Sequence, residues 1–419
     1  MAFSPVKRVR EKQYQTTVQE DLDSVLRELA DLPTAPATPY LTVSLDWRPT
    51  GTDPEYRGAI QYFEQNAKRI QQQYWPRGEV FDSVGADIEH IREWLAEGVD
   101  PASRGLFVVA NSGQGVFEAI SVGIPLQNRV IAGPMPALAS LARLDEDNPT
   151  YAVLLADQQQ SYLSLISQAH RVEQLTMISS DYPRKQATGG WSQRRFQQRA
   201  DERLMALARQ IAGESESYLN ENEVDMLVIA ADEVITGALD RTMSDQLSRR
   251  VIDRIRLDIE SSGQEILEAT LPLAERAEAE REQASVDTVA DAVGQGRNAV
   301  AGAEKVMDAL AHGRVADLIM NEDFHEDGWA DFTNQRYGVG EQRDVLAGAV
   351  DEISVEPIII EEEMVRLAIQ QNAGIDIIHT RVPLTAERDD QLPDANEIPR
   401  SAAARKLDEL GGVAAIVRY

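Results

Sequence analysis

The chain has 419 residues, 43% of them hydrophobic, and a formal net charge of −29, so it is long enough for two or three domains, each with its own core. It contains no cysteine, which excludes disulfides, thiolate catalysis and cysteine-based zinc sites. The acidic balance argues against non-specific coating of nucleic acids, and no DNA partner is expected. The sequence has neither an apolar run of about 18 residues nor a secretory signal, so we expect a cytoplasmic protein with no membrane partner.

The first predicted domain comprises residues 1–147 and is of the α/β class. Apolar runs at residues 40–47 and 105–111 indicate strands. Amphipathic patterns at residues 56–74 and 81–98 indicate helices. The polar turn LDEDNP follows and ends the domain, since proline and clustered acidic residues favour a turn.

The second predicted domain comprises residues 148–284. Apolar runs at residues 151–157, 161–167 and 171–179 indicate three adjacent strands. A polar loop and a long helix follow, and a further buried strand is predicted at residues 225–232. This order predicts a mixed sheet with helices packed on it, and a charge-rich helical stretch leads into the next domain.

The third predicted domain comprises residues 285–419. A helix is expected at residues 298–313, closed by a glycine, and a strand at residues 315–323. A second helix at residues 361–374 and a strand at residues 375–380 follow, and the chain ends in the apolar run GGVAAIVRY. This alternation predicts a compact α/β domain.

One stretch departs from the acidic character of the chain: DYPRKQATGGWSQRRFQQRADERL, at residues 181–204. The second half of this stretch starts the long predicted helix. Apolar residues recur every three or four positions in that helix, so one of its faces should pack on the domain. Positive charges at a helix start oppose the macrodipole, and like charges four residues apart repel, so this placement does not stabilise the helix. Two explanations stay open from composition: a polyanionic partner, or an ordinary mobile surface loop followed by arginines at a helix start. The basic residues around the Gly-Gly pair are Arg184, Lys185, Arg194, Arg195 and Arg199.

Other candidate motifs lack residues that their chemistry requires. GQGVFE and GVGEQR lack the third glycine of a dinucleotide fingerprint, and no phosphate loop is present. Residues 323–334 have Gly328 at the sixth place of a calcium loop, but His325 stands at the third and Asn334 at the last. We expect this segment to be a solvated acidic loop, and we expect neither a metal nor a cofactor.

The segment GGWSQRRFQQRAD resembles the catalytic loop of the archaeo-eukaryotic class I release factor superfamily, whose hallmark is Gly-Gly-Gln. It is more similar to the branch typified by Vms-type peptidyl-tRNA hydrolases and their bacterial relatives, in which the glutamine is displaced from the glycine pair. The resemblance covers residues 150–419. It implies an RNase H-like middle domain, and GRNAVAGAEKVMDALAHGRVADLIMNED with GGVAAIVRY implies a third domain that is an α/β/α sandwich similar to kink-turn-binding ribosomal proteins.

The resemblance also implies the roles of individual residues. Gly189 and Gly190 match the glycine pair and Gln193 the catalytic glutamine, with two residues inserted between them. The implied activity is hydrolysis of the peptidyl-tRNA ester to free stalled nascent chains, with peptidyl-tRNA and the rRNA of the large ribosomal subunit as partners. The first domain lacks an Asn-Ile-Lys-Ser loop and a cysteine-containing codon motif, so codon-dependent termination is not expected. The residues expected to contact RNA are Arg184, Lys185, Trp191, Arg194, Arg195 and Arg199.

Two other classes of function remain open from the sequence. One is a non-catalytic ribosome-binding or hibernation factor that occupies the A site, although relatives of that kind lack the Gly-Gly-Gln loop. The other is a nuclease on an RNase H-like domain, which requires metal-binding carboxylates at strand ends. Asp157 and Asp232 end predicted strands and are the only residues offered for that role.

Overall fold

The computed structural model describes residues 18–50, 57–76, 78–100, 103–146, 150–158, 160–167, 171–179, 192–222, 224–340, 355–381 and 399–418, with only the backbone described at 18–21, 23, 145–146, 167, 171–179 and 192–200. The chain divides into two compact units. Unit 1 comprises Met1–Asp147, Glu282–Val382 and Pro393–Tyr419, and unit 2 comprises Asn148–Arg281 and Pro383–Leu392. The predicted mixed α/β fold with several sheets is confirmed.

The first segment of unit 1 is a four-stranded antiparallel sheet between helices. Its sheet has the order β3-β2-β1-β4. Apolar residues on both faces of β1 and β2 are buried, because α2 and α3 pack on one face and α1 and α4 on the other. The elements are α1 (Val18–Ala30), β1 (Tyr40–Asp46), α2 (Gly58–Gln73), α3 (Glu79–Glu97), β2 (Gly105–Asn111), β3 (Val116–Val122), β4 (Arg129–Gly133) and α4 (Ala139–Glu146).

Unit 2 is built on a five-stranded mixed sheet of order β7-β6-β5-β8-β9. Strand β6 is antiparallel to both of its neighbours, so β7, β5, β8 and β9 all run in one direction. The elements are β5 (Tyr151–Ala156), β6 (Gln160–Ser167), β7 (Arg171–Ser179), α5 (Ser192–Glu221), β8 (Leu227–Ala231), α6 (Glu233–Leu239), α7 (Asp245–Arg250), β9 (Val251–Ile255) and α8 (Gly263–Gly294), whose end from Glu282 onward belongs to unit 1.

Both faces of the unit 2 sheet are covered. Leu154, Leu163 and Ile229 face the side occupied by α5 and α6. The opposite face packs on α8, where Tyr151 and Thr270 share a hydrogen bond of 3.1 Å between their hydroxyl oxygens. Burial raises the pKa of Tyr151 to about 12. The sheet is therefore a rigid base for the loops at its ends.

The last segment of unit 1 has two small sheets, of orders β10-β16-β11-β15 and β13-β12-β14. Residues 298–313 were expected to be one helix, but a short strand replaces its start because these residues pair with the C-terminal strand. The elements are β10 (Ala299–Ala301), α9 (Ala303–Ala311), β11 (Val315–Asn321), β12 (Asp327–Asp331), β13 (Arg336–Val339), β14 (Glu356–Ile359), α10 (Ile360–Gln370), β15 (Gly374–Ile378), α11 (Ala402–Asp408) and β16 (Val413–Val417).

The first and last segments of unit 1 share one hydrophobic core. Leu26 of α1 and Leu138 before α4 belong to the same buried cluster as Met364 of α10. Gln370 at the end of α10 donates a hydrogen bond of 2.8 Å to the carbonyl oxygen of Ala30. The two segments therefore stabilise each other although more than a hundred residues separate them in the chain.

Three consecutive glutamates at the start of α10 are buried in this core. Glu362 accepts hydrogen bonds from Arg129 Nη1 at 2.9 Å and from the backbone N–H of Ala139 at 2.8 Å. Glu363 holds Arg366 in a bidentate pair of 2.9 and 2.6 Å. Burial raises the pKa of both carboxyls, although the arginines act in the opposite direction. Glu361, the third, lies 2.7 Å from His325 Nδ1.

The acidic segment at residues 323–334, predicted to be a solvated loop, contains strand β12 at its centre. Trp329, Ala330 and Asp331 of β12 are buried. Asp331 accepts hydrogen bonds from the backbone N–H groups of Thr333 and Asn334, both at 3.1 Å. These bonds lower the pKa of Asp331, together with a side-chain bond from Asn334 that has the largest effect.

Candidate functional site

The structure describes the frame of the predicted loop. Strand β7 ends at Ser179 and helix α5 begins at Ser192. Gln193 is thus the second residue of α5, at the junction of loop and helix that the sequence predicts. Five of the predicted site residues belong to the intervening segment and lie outside the described residues: Arg184, Lys185, Gly189, Gly190 and Trp191.

The start of α5 is cationic in sequence. Its first turn has no acidic residue, and Arg194, Arg195 and Arg199 follow Gln193 within its first turns, where the structure describes the backbone. Further along, Leu207 and Ile211 are buried against the sheet and Leu204 is partly buried there, so the predicted apolar face is confirmed at these positions. The buried half of α5 therefore fixes the helix whose first turns carry the charges.

The loop leaves the sheet at its carboxyl edge. Because β7, β5, β8 and β9 run in one direction, their C-terminal ends meet at this edge. In open α/β sheets, ligands bind in the crevice outside the carboxyl ends of the strands. The side chains that the structure describes at this edge follow β5, β8 and β9 or begin β6.

The turn between β5 and β6 lies beside the start of the loop. Gln160 pairs with Ser179, the last residue of β7. Asp157 closes the turn, because its Oδ1 accepts a hydrogen bond of 2.7 Å from the backbone N–H of Gln160 and its own N–H donates to the carbonyl oxygen of Gln160 at 3.0 Å. Tyr162 donates its hydroxyl proton to Gln160 Oε1 at 3.2 Å.

Asp232, which follows β8, caps helix α6. Its Oδ1 accepts hydrogen bonds from the backbone N–H groups of Val234 at 2.8 Å and Ile235 at 2.9 Å. Its Oδ2 accepts a bond of 3.3 Å from Gln158 Nε2. Gln158 therefore connects the β5–β6 turn to the start of α6, and Gln160 of the same turn pairs with the last residue of β7.

These contacts bear on the nuclease alternative. Asp157 and Asp232 are the carboxylates that the sequence offers for metal binding, and the structure uses both to close local backbone turns. Within the described ranges, no group of three or more histidine, aspartate or glutamate side chains is arranged to hold a metal ion. The described residues of the carboxyl edge do not form the carboxylate cluster that two-metal nuclease chemistry requires.

Residues 136–275 match the family model described as "Bacterial archaeo-eukaryotic release factor family 10". This part of the chain belongs to the archaeo-eukaryotic release factor superfamily. The release-factor segment includes the sheet of unit 2, the predicted loop and all of α5. The recognition made from the loop residues is thereby confirmed for the superfamily. A search of curated proteins finds no match.

Solved structures of translation factors overlay on the chain at low identity. The archaeal translation termination factor aRF1 is 15% identical over 96% of this chain and 98% of its own, with a TM-score of 0.25. Archaeal Pelota, from a model of ribosome-bound Pelota and ABCE1, is 14% identical over 96% and 94%, with a TM-score of 0.40. Dom34 of S. cerevisiae is 10% identical over 66% and 65%, with a TM-score of 0.34. No residue correspondence follows from these overlays. No described helix is long and apolar enough to cross a membrane.

Proposed function

We propose that this protein is a ribosome-associated peptidyl-tRNA hydrolase that frees stalled nascent chains, with Gly189, Gly190 and Gln193 in its catalytic loop. One observation supports this most: the match to the release factor family spans the loop together with the strand before it and the helix after it. The loop has the glycine pair and a glutamine at the helix junction. A factor that only occupies a ribosomal site would need neither.

In the proposed reaction, water attacks the carbonyl carbon of the ester that joins the peptide to the 3′ ribose of tRNA. Negative charge develops on the carbonyl oxygen, and the ribose oxygen then leaves with a proton. An amide is a poor base, so Gln193 positions the water and donates hydrogen bonds to the developing oxyanion. RNA of the peptidyl transferase centre supplies the remaining groups.

The proposed partners are rRNA of the large subunit and the acceptor end of the tRNA. The five basic residues of the loop and of the first turns of α5 have no acidic residue among them in sequence. Such a local cluster is what an acidic protein needs in order to bind phosphates. Trp191 lies between the glycine pair and the helix, where an aromatic ring can stack on an unpaired base.

Peptide release from purified complexes tests this function. The protein is added to stalled ribosome–nascent-chain complexes, to split large subunits that carry peptidyl-tRNA, and to free peptidyl-tRNA. We expect release from the ribosomal substrates that does not depend on the codon in the A site. Co-sedimentation without release would instead support the non-catalytic ribosome-binding or hibernation factor, and release from free peptidyl-tRNA alone would overturn the ribosomal role.

A further inference from the structure

The outward side of helix α2 differs in charge from the rest of this acidic chain. The inward side, with Phe63 and Ile70, packs on the sheet of the first segment. The only acidic residue of the helix is Glu64, which accepts two hydrogen bonds of 2.6 Å from the guanidinium group of Arg92 on α3. These bonds lower the pKa of Glu64. The charges of α2 that remain without an opposite partner on the neighbouring helix are therefore positive.

Those positive charges belong to Lys68 and Arg69, which are adjacent and exposed. Among the residues that the structure describes, neither is paired with an acidic side chain. Gln61, Gln65 and Gln72 are exposed as well, and with Lys68 they follow each other at spacings of four, three and four residues, which places them in one line along the helix. An amide side chain both donates and accepts hydrogen bonds. The outer face of α2, defined by these five residues, thus combines two cations with amides.

An exposed tryptophan lies at the end of this face. Trp75 follows α2 by two residues, and its backbone N–H donates to the carbonyl oxygen of Gln72 at 3.2 Å, so the helical turn continues as far as Trp75. Trp75 is 68% exposed, more than any other large hydrophobic residue that the structure describes. Its ring contacts Phe81 of α3 edge to face, with 6.0 Å between the ring centroids. Most of the indole is therefore available to a partner.

The spacing of these groups suits a nucleic acid strand. At a rise of 1.5 Å per residue, the face from Gln61 to Trp75 is about 20 Å long, which matches about six nucleotides of a stacked strand at 3.4 Å each. The next acidic residues in the chain, Glu79 and Asp82, belong to the first turn of α3, where negative charge offsets the helix dipole. Stacking on Trp75 does not depend on charge, since every base has a π face.

From this arrangement we propose that the outer face of α2 and Trp75 form a second RNA-binding surface, which holds an unpaired segment of ribosomal RNA. Trp75 stacks on a base, Lys68 and Arg69 bind phosphates, and the glutamines hydrogen-bond to ribose and base atoms. The bases of a duplex are stacked on one another and cannot stack on an aromatic side chain, so the exposed ring favours an unpaired segment. The choice of ribosomal RNA rests on the proposed function. The surface itself lies outside the release-factor segment and does not involve the Gly-Gly loop.

Trp75→Ala tests the stacking contact, by co-sedimentation with vacant ribosomes, which hold neither mRNA nor tRNA. We expect binding to weaken about tenfold, within the usual range for loss of one base–aromatic stack. The salt dependence should be unchanged, because a neutral ring releases no counterions. Trp75→Phe should bind within about threefold of the wild type, since a smaller ring still stacks. The midpoint of thermal unfolding is measured for each variant, so that loss of fold is distinguished from loss of contact.

Lys68→Ala combined with Arg69→Ala tests the phosphate contacts. Each contact to a single strand contributes about 0.7 to the slope of log K against log salt concentration, so the double variant should flatten this slope by roughly 1.4. Lys305→Ala combined with Arg405→Ala is the matched control, because it removes the same two charges from exposed positions of α9 and α11 in the same unit. Equal flattening by both double variants would show a general charge effect and overturn the assignment.

The same variants are measured on stalled complexes and on ribosomal RNA stripped of protein. Weakening by Trp75→Ala on stalled complexes alone would point to mRNA or tRNA, and weakening on ribosomes but not on stripped RNA would point to a ribosomal protein. Either result overturns the assignment to ribosomal RNA. If the wild type binds neither vacant nor stalled ribosomes, the proposed function fails. If the wild type binds and Trp75→Ala binds equally well, this inference alone fails.

Discussion

Arg129→Met should destabilise unit 1 strongly, because Arg129 is the cation that neutralises buried Glu362. The Arg129 side chain is 29% exposed and that of Glu362 only 8%, at a distance of 2.9 Å between Nη1 and Oε1. Arg129 also lies 3.6 Å from Glu361. Removing one partner of a buried pair costs about 3–5 kcal/mol. In a unit of this size, such a loss lowers the midpoint of thermal unfolding by about 6–20 °C.

Protonation of Glu362 limits the loss of stability in Arg129→Met and makes that loss depend on pH. Burial already raises the pKa of this carboxyl, and loss of Arg129 raises it further. A carboxyl with a raised pKa in the folded state is least costly when protonated, so the loss of stability in Arg129→Met should grow as the pH rises. Calorimetry, which separates the transitions of the two units, measures this at several pH values.

Arg92→Met is the control for the loss of an arginine. Arg92 pairs with Glu64 and Glu89 across α2 and α3, and its side chain is 42% exposed. Exposed pairs of this kind contribute about 0–1 kcal/mol. If Arg129→Met costs no more than Arg92→Met, the buried carboxylates of α10 do not hold the two segments of unit 1 together, and the reasoning is wrong.

The remaining predictions concern salt, protonation and backbone space. Replacing the three arginines at the start of α5 by alanine should flatten the salt dependence of ribosome co-sedimentation by roughly one logarithmic unit per phosphate contact; an unchanged slope would refute their role. NMR titration should show the pKa of His325 above its ordinary value, because Glu361 hydrogen-bonds to its ring. The pair therefore stabilises the fold at low pH, and this contribution is lost as the pH rises through the raised pKa; Glu361→Gln should lower the pKa of His325. Gly105→Ala should lower the midpoint of thermal unfolding of unit 1, because the added Cβ would lie 2.1 Å from the carbonyl oxygen of Ile124. At Gly237 in α6 an added Cβ meets no atom within 4 Å, so Gly237→Ala should leave the midpoint unchanged or raise it.

Much of the secondary structure could be predicted from the sequence where apolar residues form continuous runs. Strands β2 and β7 match the predicted residues at both ends. Both faces of β2 are buried, and a strand covered on two faces needs a continuous apolar run, which a sequence displays directly. Such a run is enough to predict the strand, because the prediction does not depend on knowing which distant residues pack against it.

Features that depend on distant partners were missed. Ala299–Ala301 looks helical in sequence but forms β10, since its partner β16 is at the other end of the last segment. Gly302 then adopts a positive φ of 85° that separates this strand from α9. The glutamates of α10 look like an exposed acidic helix start, and the partner that offsets the burial of Glu362 is Arg129, which comes from the first segment.

The candidate site likewise has features that could be predicted from the sequence and features that could not. The loop and Gln193 could be predicted because the glycine pair, the basic residues and the helix are contiguous in the chain. The contacts at the carboxyl edge could not, because Gln160 reaches Ser179 only through the pairing of β6 with β7, and Gln158 reaches Asp232 only through the pairing of β5 with β8. A glutamine in a polar turn of the sequence does not indicate either contact.

Gly190→Ala tests the central claim most directly, with release of labelled peptide from stalled ribosome–nascent-chain complexes as the assay. An added Cβ blocks the close approach of the backbone to the ester or forbids a positive φ. Gly213→Ala is the matched control, since a Cβ at this position of α5 meets no atom within 4 Å. We expect Gly190→Ala to lose release while it co-sediments with ribosomes as the wild type does, and Gly213→Ala to retain both. Release by Gly190→Ala at the wild-type rate would contradict the hydrolase account and favour a non-catalytic ribosome-binding factor.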